Sequence, residues 1–259
     1  MVEYPFTIDT LEHLLLVLVR VASFLYTAPF YNQDAMPNRV KIGFALFVSG
    51  LLFVSVPELN VSYSGVYDYT VIVLKEGITG LLIGLAANIC SSIVLFSGRL
   101  IDMEVGLAMA NLMDPTTREQ ASITGTMYSN GIMMLLILSD MHIFILRAMT
   151  DSYEVIPVGE MILDHEGLYE AIVTYLTDYM VIAFRIVLPV FICIMMLNVI
   201  LGIMAKVSPQ MNMFSVGFQL KVFVGFGVVF MCLQLFPAVA DFIFTEMKRM
   251  IVLFMEAMY

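Results

Sequence analysis

Charge is scarce in this chain. Only 13% of its 259 residues are Asp, Glu, Lys or Arg, where soluble domains carry about 25%. Bases are the scarcer sign, 12 against 22 acids, for a net charge of −10. No run of Lys and Arg occurs, which excludes a phosphate-tracking surface and disfavours nucleic acid as a partner. Cysteine is nearly missing. Cys90, Cys193 and Cys232 lie singly inside apolar runs, with no CxxC, so neither a disulfide framework nor a zinc site follows. They read as small buried hydrophobes. His13, His142 and His165 are scattered, without metal-ligand spacing. Enzyme motifs are missing too: there is no HExxH, GxSxG, Walker lysine loop or Ser-Lys arrangement. Asp102 and Glu104 are near neighbours, but nothing completes an acid–base site around them. The chain lacks internal repeats and low-complexity linkers, and its longest polar segment runs to about twenty residues. A separately folded catalytic domain has no place in it, and no metal or cofactor is expected.

What fills the chain instead is apolar surface. Hydrophobic residues make up 61%, against ~45–50% in ordinary domains, and the mean hydropathy is +0.94. One water-soluble core could not hide this much. Six stretches stand out, at about 11–30, 40–57, 71–97, 127–149, 178–205 and 213–245. All but the second reach the ~20 residues that cross a bilayer as a helix. They are continuous rather than alternating, so the expected class is all-α, a polytopic helical membrane protein. Pro29 and Pro37 bracket the turn between the first two stretches. Glu3, Asp9 and Glu12 occupy the place of a basic signal-peptide region, so the first stretch is expected to stay as a membrane helix. Arg39 with Lys41, and Lys206 with Lys221, place segments 31–41 and 206–221 inside. The acidic segment 151–170 and the N-terminus then fall outside, with six crossings.

Segment 98–126 breaks the pattern. It mixes charges with Met and Ala and carries an Asp-Pro turn signal at 114–115. Its middle, Val105 to Met113, is too apolar for a solvated loop. It is either an amphipathic connector on the membrane or a neighbour, or a loop inserted into a protein cavity or pore. Ionisable groups also sit in or beside apolar runs: Arg20, Lys75, Glu76, Arg147, Asp178 and Arg185. Such a group at membrane depth costs about 2.5–3.5 kcal/mol on insertion scales, so it faces protein or water. Lys75 and Glu76 read as snorkelling near a helix start. Arg20 and Arg185 read as inter-helix or inter-subunit contacts. In a small-solute transporter, Arg20, Asp178 and Arg185 would instead line a binding site, a reading that expects inverted repeats. Gly77, Gly80 and Gly84, and Gly225 with Gly227, suit close helix approach within the chain or between subunits. Methionine is abundant at 22 copies. It stands in for Leu in most places and suits surfaces that re-pack around varied partners.

Four strings, in order along the chain, add a resemblance. RVASFLYTAPFYNQDAMPNRVKIGFAL (20–46) holds an Arg-led helix with Arg20, an Ala-Pro at Ala28-Pro29, and a Pro-x-Arg-x-x-x-Gly at Pro37, Arg39 and Gly43. GRLIDMEVGLAMANLMDP (98–115) is a Gly to Asp-Pro stretch, and DSYEVIPVG (151–159) is an acidic Ser-aromatic-Pro-x-Gly segment. LGIMAKVSPQMNMFSVGFQLKVFVG (201–225) holds Pro-Gln-x-Asn and a following Gly, as Pro209, Gln210, Asn212 and Gly217. Together these resemble the FliR family of flagellar type III export components. The acidic balance and the heavy use of Met depart mildly from that family.

The resemblance implies a single integral-membrane domain over 1–259. A FliP-like helical part at about 1–177 is followed by a FliQ-like helical hairpin at about 178–259. It implies partners: FliP-, FliQ- and FlhB-type export-gate subunits, the lipid bilayer, and unfolded export substrates in transit through a shared channel. The site would be the bacterial cytoplasmic (inner) membrane at the flagellar basal body. An injectisome would use an equivalent subunit. The central loop, about 105–121, maps to a channel plug with Met103, Gly106, Met109, Met113, Asp114 and Pro115 as its candidate residues. The hairpin turn toward the cytoplasm maps to Lys206, Pro209, Gln210, Asn212, Gly217 and Lys221.

Overall fold

The computed structural model describes residues 8–31, 36–55, 65–107, 122–162, 164–208, 210 and 212–259. Among these, all regular structure is helical. In order the helices are α1 (Ile8–Thr27), α2 (Asn38–Ser55), α3 (Val66–Val105), α4 (Ile123–Leu138), α5 (Met141–Val155), α6 (His165–Val207), α7 (Met213–Cys232) and α8 (Phe236–Glu256). A single 3₁₀ turn, Leu233–Leu235, joins the last two. Five segments are long and apolar enough to cross a membrane: α1, α2, α3, α6 and the α7–α8 run. The pair α4–α5 makes a sixth if its bent halves form one span.

Local chemistry sets the helix ends. Thr27 closes α1 ahead of Ala28-Pro29, and Phe30 turns with φ of 71°. Pro37 precedes α2, its carbonyl accepting from Val40 N–H at 2.9 Å. Gly106 ends α3 at φ of 94°, its N–H donating to the Asp102 carbonyl at 3.1 Å. Such a left-handed stop is cheap for glycine. Asp140, at φ of 55°, separates α4 from α5, so the stretch expected at 127–149 is two helices. Pro157 to Glu160 is a tight turn with Gly159 at φ of 82° and a 3.1 Å closing bond. That is the position where a type II turn requires positive φ. Asp164 caps α6, its carboxylate accepting from Glu166 and Gly167 N–H at 3.2 and 3.1 Å.

Three helices run well past their expected ends, among them α8, which continues through Glu256 beyond the stretch expected to end at about 245. The third apolar run, expected at 71–97, continues as helix through Val105, so 98–105 is not loop. Helix α6 starts at His165, ahead of the apolar run expected from 178, inside the segment expected as an acidic loop. The helix accommodates Glu166 and Glu170 because both point outward.

The chain forms two compact units. The first comprises residues up to Ile89, Ser139–Tyr175 and Thr245–Tyr259. Its core includes Val17, Val21, Phe24, Ile83, Ile145 and Phe254, all fully buried. The second comprises Cys90–Leu138 and Leu176–Phe244. Ile93, Ile101, Ile132, Leu136 and Ile194 are buried in it. Methionines divide between the units. Met149, Met161, Met247, Met250 and Met258 are buried in the first, whereas Met103, Met134, Met195, Met196 and Met231 are exposed on the second.

Candidate functional site

The foot of the central segment is a tightly joined place in the second unit. Asp102, one turn before the end of α3, is 5% exposed although ionisable. Its carboxylate accepts from the Ser122 hydroxyl at 2.6 Å and from the Thr124 N–H at 3.3 Å. Ser122 in turn caps α4, its Oγ accepting the Gly125 N–H at 2.9 Å. Close packing reinforces these bonds. A Cβ on Gly98 would overlap the backbone of Gly125, so α3 and α4 touch main chain to main chain. The Val105 side chain fills the space where a Cβ on Gly225 would stand, and the Phe218 ring lies 3.4 Å from the Cβ position of Gly106. The chain therefore leaves this foot at 106 and returns at 122 with both ends held.

Of the candidate plug residues, Met103 lies on the last turn of α3 and is 65% exposed, pointing away from the buried Asp102. Gly106 is the helix stop. Met109, Met113, Asp114 and Pro115 lie outside the described residues. Asp102, Ser122, Thr124 and Gly125 belong to the foot, and sequence reasoning missed their joint role. The available signal was weak: Asp102 is three residues ahead of Val105 and one after Ile101, on a face that an apolar periodicity would assign to the interior.

The cytoplasmic-turn candidates run from the end of α6, which holds Lys206, into α7, which holds Gly217 and Lys221, all in the second unit. Lys206 is exposed and Lys221 half-buried. Asn212 starts α7, its side chain accepting the Ser215 N–H at 3.4 Å. Gly217 is buried, with Leu201 of α6 3.2 Å from its Cβ position, so the two helices approach closely just beyond the turn. Gln210 is exposed, and Pro209 lies outside the described residues. Replacing Asn212 with alanine is expected to loosen the start of α7 by about 0.5–1 kcal/mol. Faster hydrogen exchange at Ser215, with the rest of α7 unchanged, is the measurement that checks it.

In the first unit a buried charge pair organises the packing. Arg20 Nε donates to Glu76 Oε2 at 2.6 Å and Nη2 to Oε1 at 3.0 Å, with both side chains at 0% exposure. Nη1 reaches the Ile156 and Ser152 carbonyls at 2.9 and 3.4 Å. The guanidinium carbon lies 4.3 Å from the Tyr153 ring centroid, and the Tyr153 hydroxyl donates to the Val17 carbonyl at 3.2 Å. Gly159 N–H completes Glu76 with a 2.8 Å bond to Oε1. Every arm of the guanidinium is thus engaged, and the pair bridges α1, α3 and the 152–159 segment. Glu76 does not snorkel: a partner inside the fold holds it at 0% exposure. Lys75, its neighbour, is half-buried. Gly80 and Gly84 serve the same crossing. A Cβ at Gly80 would overlap the Arg20 carbonyl and Ser23 Oγ, and one at Gly84 would overlap Thr27 Oγ1. The GxxxG is therefore an α1–α3 contact within the chain. Beyond α1, Tyr31 donates to the His142 carbonyl at 3.0 Å and stacks on Phe44, and burial pushes its phenol up to about 12.

Arg185 and Arg147 are exposed, and Asp178 is half-buried. All three cysteines are free thiols. No cluster of His, Cys, Asp and Glu fit for a metal occurs among the described residues.

Long apolar helices, tied by close glycine contacts and one buried ion pair, define the class: a multi-pass helical membrane protein. Its sequence matches the family described as Bacterial export proteins, family 1, over residues 11–247, and the chain belongs to that family. It is 28% identical over 243 residues to the Flagellar biosynthetic protein FliR of Bacillus subtilis (strain 168), covering 92% of both chains. It is 28% identical over 233 residues to the protein of the same name from Pectobacterium carotovorum subsp. carotovorum, covering 88% of this chain and 87% of that one. For the Escherichia coli (strain K12) protein of that name the identity is 21% over 234 residues, covering 90% and 89%.

Proposed function

We propose that this chain is a core subunit of a flagellar type III export gate in the bacterial cytoplasmic membrane. With FliP-, FliQ- and FlhB-type subunits it forms the channel through which unfolded flagellar proteins leave the cell, and it carries out no catalysis itself. One observation carries the reading: the relation to flagellar FliR proteins extends over about nine-tenths of each chain. The relatives compared are all flagellar by name, which favours the flagellum over an injectisome. Native mass spectrometry of the tagged protein, extracted mildly from its own cells, tests this. A large hetero-oligomer with small hydrophobic FliP- and FliQ-like chains is expected. A lone monomer or homodimer, under conditions that preserve other membrane complexes, overturns it.

Within that gate the central loop acts as a plug. Support comes from its apolar, Met-containing sequence and from the pinned foot out of which it leaves. Methionine is unbranched and polarizable, so a Met-lined seal can close against ions and yet deform for a polypeptide. Deleting about 106–120 is expected to raise the ion conductance of membranes holding assembled gates. Unchanged conductance in an assembled gate would falsify the plug.

A further inference from the structure

Asp102 is an ionisable group buried where the chain turns back, and a buried polar side chain calls for hydrogen-bond partners. Its engagement is specific. The carboxylate reaches 20 residues along the chain to Ser122 and 22 to Thr124. It thereby joins the exit of the central segment to its return at a single point. Gly98 against Gly125 and Val105 against Gly225 lie at the same foot, so the bond sits on a surface with no slack. Helix ends alone do not call for this arrangement. Ser122 caps α4 through its own Oγ, and Gly106 stops α3 through its own N–H. The carboxylate is additional to both, and what it adds is the tie between them.

We propose that Asp102 is a positioning residue that clasps the foot of the central segment, tying the last turn of α3 to the first turn of α4. The clasp works through hydrogen bonding rather than through charge. Its acceptors serve a hydroxyl and an amide, and among the described residues none of its bonds goes to a cation. Asparagine can reproduce this pattern: its Oδ1, placed where Oδ2 stands, accepts both the Ser122 hydroxyl and the Thr124 N–H, as Oδ2 itself does. Leucine fills a similar volume but leaves the hydroxyl and the amide without an acceptor. The consequence for conductance rests on the plug reading, whereas the clasp itself does not.

The experiment compares gates carrying Asp102→Leu, Asp102→Asn and Ser122→Ala with the unaltered gate, each purified as the assembled complex. Two readouts are taken: the rate of limited proteolysis between 107 and 121, and ion leak in vesicles. For Asp102→Leu, proteolysis is expected to quicken by about tenfold, together with a several-fold rise in leak. Asp102→Asn is expected to behave as the unaltered protein in both. Ser122→Ala is expected to move both readouts in the direction of leucine but less far, and it decides the matter if the leucine variant does not assemble. Unaltered proteolysis in Asp102→Leu gates, or in Ser122→Ala gates if those alone form, overturns the clasp. An asparagine variant as loose as the leucine one overturns it as well. Faster proteolysis with unchanged leak, alongside unchanged leak on deleting about 106–120, sinks the plug and leaves the clasp standing.

Discussion

Replacing Arg20 with methionine is expected to destabilise the chain by about 3–5 kcal/mol, the usual cost of stranding one member of a buried ion pair. Glu76 would keep only the Gly159 N–H, at 0% exposure and with no counter-charge. The Ile156 and Ser152 carbonyls would lose their donor as well. Thermal unfolding of the detergent-solubilised protein, and its accumulation in membranes, would both report the loss. A matched change removes most of it. The double variant Arg20→Met/Glu76→Leu replaces two charges with apolar groups of similar volume, and such swaps in buried sites are often neutral or stabilising. The double variant should therefore unfold at a higher temperature than Arg20→Met alone. If it is no better, Glu76 is not the group that Arg20 neutralises, and the ion pair is not what holds α1 to α3.

The second large effect comes from Gly80. Any side chain there meets the main-chain carbonyl of Arg20, which cannot rotate aside. Gly80→Ala is expected to cost about 1–3 kcal/mol, as overpacking does in a close-packed interior, and Gly80→Leu more. The cost has a specific route. Pushing α1 off α3 lengthens the 2.6 Å bond from Arg20 to Glu76, because Arg20 stands on the crossing itself. The two sites share one contact, so their effects should not add. A cycle of Gly80→Ala, Arg20→Met and the double variant is expected to show coupling of about 0.5–3 kcal/mol, the range for residues in contact. Strict additivity would mean that the helices separate without disturbing the ion pair.

Hydropathy alone located the helices, because a bilayer-length apolar run has few other uses. Asn38–Ser55 falls within two residues of its expected place. Errors came where helix and apolar run are not the same thing. Arg99, Asp102 and Glu104 made the end of α3 look like loop, but helix formation needs one buried face rather than an uncharged sequence. Ile101 and Val105 supply that face. Likewise Glu166 and Glu170 masked the start of α6, which Asp164 caps. The break between α4 and α5 is silent in hydropathy because both sides are apolar. Of the candidate site, the central segment was legible as a place and its foot was not. Arg20 and Glu76 each stood out as charges in apolar surroundings. Their pairing spans 56 residues, and no local pattern encodes a partner at that distance.

The division of methionines between the two units bears on how the protein ages under oxidants. Thioethers are oxidised to sulfoxides in proportion to their access to the reagent. Met149, Met161, Met247, Met250 and Met258 are shielded at 1% exposure or less, while Met103, Met134, Met196 and Met231 stand at 65%, 68%, 64% and 71%. A mild pulse of peroxide on the isolated chain should therefore mark the second unit and spare the core of the first. Sulfoxides formed there convert apolar surface into polar surface, yet none lies where it would break the packing around Arg20. Because methionine sulfoxide is enzymatically reversible, oxidation confined to the exposed set is expected to be a lesion that can be undone without unfolding the molecule.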